Sequence, residues 1–173
     1  MPHRNHLYPR FMYRSTRLSG RSARRAGFSL IELIITVVIV AVLAAIAIPA
    51  YAGYIARARR ADARAQLMQT GQFMQRFYVA NDTYLQDRAG NTVFSQVPAT
   101  LKQSPADSKK LYDLAIPAAT LTAFAFEVRM VPVSGGVMAD DSCGILVLSS
   151  TGVRSVVVGG VTDNGTLRDT CWK

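Results

Sequence analysis

The residue with the clearest chemical consequence is Glu32, the only charge between Gly27 and Arg57. It stands five positions after Gly27, at the edge of the uncharged run Leu33–Ala56. A carboxylate near the centre of a membrane-spanning helix costs on the order of 3 kcal/mol and one at its end rather less, so an acid held there marks a functional position by default. Other reactive groups are sparse. The two histidines, His3 and His6, lie in the basic first 27 residues, so from Phe28 onward there is no imidazole for a Ser-His-Asp triad, a Cys-His pair or a His-ligated zinc. Asp140, Asp141, Asp163 and Asp169 offer oxygens to calcium, but hard cations take six to eight ligands from a defined loop and this spacing matches none. No Gly-rich phosphate loop, paired-carboxylate site or aromatic-basic platform is evident. Enzyme classes lose most of their candidate residues here, and the expectation is a protein without catalytic residues, cofactor or metal.

The elements that carry Glu32 are legible on both sides. Residues 1–27 contain seven Arg and no acid, which by the positive-inside rule holds this end in the cytoplasm and sends the rest across the membrane. Met12 offers a second start within this stretch. As helix at ~1.5 Å per residue the uncharged run covers ~36 Å, enough for a hydrocarbon core of ~30 Å. The net charge of +9 is concentrated in the Arg-rich end; from Phe28 onward 13 Lys and Arg face 11 Asp and Glu. A basic leader and a near-neutral remainder speak against nucleic acid as a partner. A plain anchor leaves the acid unexplained. A secretory signal peptide has the A-x-A-like Ala50-Tyr51-Ala52, but its apolar region would run past the usual ~7–15 residues and begin with a carboxylate.

GFSLIELIITVV, followed by AAIAIPAY with Pro49, resembles the N-terminus of type IV prepilins, and the resemblance extends through ARRADARAQLMQTGQFMQRFYVANDTYL, CGILVLSSTGVRS and the closing CW to the PilE-like minor pilins. That resemblance implies cleavage after Gly27 by a prepilin peptidase, methylation of the new amine of Phe28, and assembly contacts through Glu32 and the helix around Pro49, where a kink is expected. It implies an α+β fold in which a long N-terminal helix packs on a small antiparallel sheet. The expected divisions are a leader over 1–27, the helix over 28–80 with its first half in the membrane or filament core, and a globular part over 81–173. The two cysteines, Cys143 and Cys171, fall on the translocated, oxidising side. They match the pair that bounds the C-terminal loop of these pilins, and a disulfide between them is expected.

The rest of the chain fits one domain. Ala63, Leu67, Thr70, Met74 and Phe77 recur at helical spacing, so one face of a helix running to about Ala80 should be buried. Gly71 costs about 1 kcal/mol relative to Ala and suggests close packing. Asn81, which tolerates a left-handed cap, reads with Asp82 as the helix stop. Arg57, Arg59, Arg60 and Arg64 read as an interfacial flank touching lipid headgroups or as an ionic contact with a neighbouring subunit. Residues 82–110 read as a long connecting loop. Strands are expected over 111–116, 123–131, 144–149 and 153–158, with Phe124, Phe126, Val128 and Met130 facing one way and a hairpin at Ser150-Thr151-Gly152.

The expected function is that of a minor subunit of a type IV pilus. It is inserted in the inner membrane with its globular part outside the cytoplasm, then built into the extracellular fibre and serving twitching motility, adhesion or DNA uptake. Its expected partners are other pilins, the prepilin peptidase, the inner-membrane assembly machinery and, before assembly, lipid. The alternatives are a type II secretion pseudopilin and, from another class, a filament-tip adhesin or DNA receptor.

Overall fold

The computed structural model describes residues 27–173, so the expected leader lies almost wholly outside the described residues. The described chain forms two compact units that divide between Val42 and Leu43. Helix α1, Leu30–Asn81, belongs in part to each and is continuous through Pro49. It contains a window of mean hydropathy 3.0, none of which is buried. In the first unit the large apolar side chains, Leu30 through Val42, are all exposed, as suits a segment meant for lipid or for other apolar helices.

In the second unit α1 changes character. Ala63, Leu67, Thr70, Gly71, Met74 and Phe77 are its buried residues, the stripe that the three- and four-residue spacing requires. They face a meander of six antiparallel strands in sequence order: β1 Gln103–Ser104, β2 Tyr112–Ala115, β3 Glu127–Pro132, β4 Ile145–Ser149, β5 Arg154–Val158 and β6 Val161–Asp163. Register places Leu114 beside Met130, Val128 beside Leu148 and Leu146 beside Val156. One face of the sheet is therefore apolar and closes on the helix. Gly71 lies against this face, where an added Cβ would stand 2.8 Å from Leu148 Cδ2.

Three expectations need correction. Residues 82–110 are not a bare loop: they hold helix α2, Val93–Gln96, a 3-10 turn at Ala99–Leu101 and strand β1. They also bury Tyr84, Val93, Val97 and Leu101, so apolar anchors without a clear period still supplied core. The strand expected from 123 begins only at Glu127. Thr122 Oγ1 accepts the backbone N–H groups of Phe124 and Ala125, folding that stretch into a turn and leaving Phe124 76% exposed. Asn81 is the last helical residue, its side chain donating to Phe77 O; the left-handed residue is Asp82, at φ 60°. Beyond the elements of 82–110, the structure adds two more to those expected: β6 and the short helix α3, Thr166–Cys171.

Candidate functional site

At the N-terminus, Gly27, Phe28 and Ser29 precede the helix and Glu32 lies in the first turn of α1. Phe28 is exposed, and among the described residues nothing lies within 4 Å of a Cβ placed at Gly27. A carboxylate in a first helical turn is favoured by the positive end of the helix dipole. This arrangement holds the acid one turn beyond the Gly27–Phe28 bond.

The basic flank after the apolar run is divided in the fold. Arg57 is exposed, whereas Arg60 reaches the loop after β3 and donates from Nε and Nη2 to Asp141. Arg64 has no carboxylate partner among the described residues. Burial, then the positive charges of Arg60 and Arg154, lower its pKa. Tyr112, buried beside this region, has its phenol pushed up to about 12 by burial and by Asp141.

The cysteines are bonded, with 5.7 Å between their Cα atoms. The bond joins the segment before β4 to the end of α3, and so fixes Trp172. The indole Nε1 donates to Ser155 O at 3.1 Å, and the Arg154 guanidinium lies 5.4 Å from the ring centroid. Arg154, Trp172, Arg168 and Lys173 line one open cleft of about 600 Å³ with Asp169, whose carboxylate pairs with Arg168 at 2.8 Å. This is an aromatic-basic platform, which the sequence did not disclose. Arg154 and Trp172 are 18 positions apart in the chain, and the β5–α3 packing, the Trp172–Ser155 hydrogen bond and the disulfide bring them together. The closing Cys-Trp pair was the one available signal.

The four aspartates do not converge. Asp141 holds Arg60, Asp163 accepts the N–H groups of Gly165 and Arg168, and Asp169 pairs with Arg168. No cluster of metal-ligating side chains occurs among the described residues.

The chain matches two family profiles. The profile described as "Type IV minor pilin ComP, DNA uptake sequence receptor" matches residues 49–147, and the "Prokaryotic N-terminal methylation motif" matches residues 22–48. No curated protein matches it. Among solved structures, a type IV pilin from Shewanella oneidensis is 31% identical, over 57% of this chain and 89% of that one, with a TM-score of 0.37. The non-core minor pilin PilV of Neisseria meningitidis is 16% identical, over 65% of this chain and 90% of that one, with a TM-score of 0.39. With one profile covering more than half of its length, the chain belongs to the type IV minor pilin ComP family.

Proposed function

We propose that this minor pilin is cleaved after Gly27 by a prepilin peptidase, methylated at Phe28, built into the fibre through Glu32 and the helix around Pro49, and there binds DNA. The inner-membrane assembly machinery and the other pilins are its partners in the first steps. The observation that carries the last is the cleft at the C-terminal end. Arg154, Arg168 and Lys173 line it together with Trp172, and the Arg154 guanidinium lies over the Trp172 ring. Three cations against the one side-chain carboxylate of Asp169 suit a phosphate backbone, and an aromatic face adds stacking to unpaired bases. The family description, a receptor for a DNA uptake sequence, supports the same ligand. The cleft itself comes from beyond the matched residues, so its chemistry is an independent support. Near-neutral net charge does not oppose this reading, because local clustering and not the sum sets the field at a cleft.

The test is fluorescence anisotropy of a labelled duplex oligonucleotide with the full mature chain in nanodiscs, repeated over a salt series. Arg154→Ala should weaken binding by about tenfold, or ~1.4 kcal/mol, and reduce the salt slope by about 1. Arg88→Ala, an exposed cation outside the cleft, should change neither. Equal affinity for the wild type and for Arg154→Ala combined with Lys173→Ala would remove the cleft from the reading.

A further inference from the structure

The meander places its loops at two opposite ends, and three cross-links to α1 fix which end is which. Arg60 holds Asp141, just before β4. Gly71 meets Leu148 near the end of β4, and Gln75 donates to Ser150 O just past it. Along α1, Arg60 to Gln75 is ~22 Å, and the extended chain from Asp141 to Ser150 reaches at most ~30 Å, so β4 ascends alongside the helix. Antiparallel pairing then turns β3 and β5 downward. The β2–β3 connection is accordingly high, and Tyr84 N, just past the end of α1, donates to Ala123 O. The β3–β4 loop and the β5–β6 turn are low, beside the start of the charged part of α1.

That lower end is level with the close of the uncharged run. Ala56, its last residue, already packs against the core of the globular unit, and Arg57 begins the basic flank. The headgroup region spans ~5–8 Å on each side of the hydrocarbon, which is the rise of four or five residues beyond Ala56. Arg60, with the loop it holds, falls within that depth. The low loops also expose apolar side chains: Val137 is 68% exposed in the β3–β4 loop, and Val161 70% exposed beside the β5–β6 turn. Gly159 and Gly160, at φ 58° and 82°, make that turn as tight as a two-residue hairpin allows, so Val158 and Val161 stand together at its tip.

We propose that, while α1 is anchored in the bilayer, the β3–β4 loop and the β5–β6 turn rest in the headgroup layer of that same membrane, with Val137, Val158 and Val161 as the apolar contacts and Arg57 and Arg59 on anionic headgroups. The partner is the phospholipid surface. The contact holds the globular unit against the membrane, and extraction of the subunit must break it. The inference rests on membrane anchoring and not on DNA binding.

Trp172 is the only tryptophan, so a Trp172→Phe background is dark and a reporter can be placed at will. Val137→Trp and Val161→Trp, with Phe124→Trp in the high β2–β3 connection as reference, are made in the full mature chain. Each is reconstituted at one chain per nanodisc of three parts phosphatidylcholine to one part phosphatidylglycerol, doped with a headgroup-nitroxide lipid. The two low reporters should be quenched at least about threefold more than the high one. On the unsubstituted chain, peptides over 133–142 and 157–162 should exchange amide hydrogen more slowly in nanodiscs than in amphipol, while those over 119–125 stay unchanged. Equal quenching at all three positions, or quenching and protection that arise only at two chains per disc, overturns the proposal, the latter in favour of a subunit contact. A chain that fails to insert at all overturns the anchoring on which it rests.

Discussion

Arg60 on α1 and Asp141 before β4, 81 positions apart, share a two-pronged contact in which Nε lies 3.0 Å from Oδ1 and Nη2 lies 2.8 Å from Oδ2. Their side chains are 15% and 6% exposed, and Asp141 Oδ1 also accepts the backbone N–H of Cys143. The pair therefore ties the helix to the segment that carries the disulfide. Removing one partner leaves a buried charge alone, which costs about 3–5 kcal/mol. Asp141→Ala should lower the midpoint of denaturant unfolding accordingly, whereas Arg60→Met with Asp141→Leu should recover most of the loss. A single substitution without measurable effect would show that the contact is not formed in solution.

Two glycines give opposite predictions. Gly144 has φ 54°, and a Cβ there would stand 2.4 Å from Val157 O, a backbone atom of the neighbouring strand. Neither strain nor clash can relax cheaply, so Gly144→Ala should destabilise by about 2–4 kcal/mol. At Gly71 the atom met is the tip of Leu148, which can change rotamer. The gain of about 1 kcal/mol in helix propensity then offsets a similar rotamer cost, leaving Gly71→Ala within about 1 kcal/mol of wild type. Denaturant melts of both variants check the contrast. An equal loss at the two sites would contradict it.

The buried stripe of α1 was legible because Ala63, Leu67, Thr70, Met74 and Phe77 are all read by one rule, the 3.6-residue period, and all five are buried. Four strands were legible as short apolar runs, one of them with a period of two. Phe124 was not, because its alternation with Phe126 is genuine while a single hydroxyl, Thr122 Oγ1, diverts the backbone into a turn. Strand β6 and α3 are too short to show a period, and α3 stands on tertiary support: its Leu167 and Cys171 pack on the core. The cleft was the least legible feature. Its Arg154 and Trp172 meet through packing and a covalent bond, and no local spacing encodes that.

The disulfide offers a prediction that links stability to the cleft. Cys143 and Cys171 are 28 positions apart, and closing such a loop contributes about 3.6 kcal/mol on the chain-entropy estimate. Cys171→Ser should cost about 2–4 kcal/mol. Because Trp172 follows Cys171 directly, the same change should loosen the indole from Ser155 O. Melting of oxidised and reduced chain, with tryptophan fluorescence as a second probe, checks both. Superimposed melting curves would mean that the bond contributes no stability.

Glu32 carries the remaining prediction. Cleavage after Gly27 would place a cationic amine on Phe28, four residues from a carboxylate in the first turn of α1. Within one chain at a membrane surface that pair is partly solvated and weak. Between chains, where apolar helices exclude water, the same attraction is several times stronger, because it scales inversely with the effective dielectric. On the proposed assembly, the favoured contact would join one subunit's amine to the Glu32 of a subunit already in the fibre. Glu32→Ala makes the segment more apolar, so it should still insert and still be cleaved. It should accumulate in the membrane and be missing from sheared pili, with Glu32→Asp, one methylene shorter, intermediate. Quantifying the chain in sheared fibres against the membrane fraction reads the outcome, and wild-type amounts of the alanine variant in the fibres would show that the carboxylate makes no assembly contact.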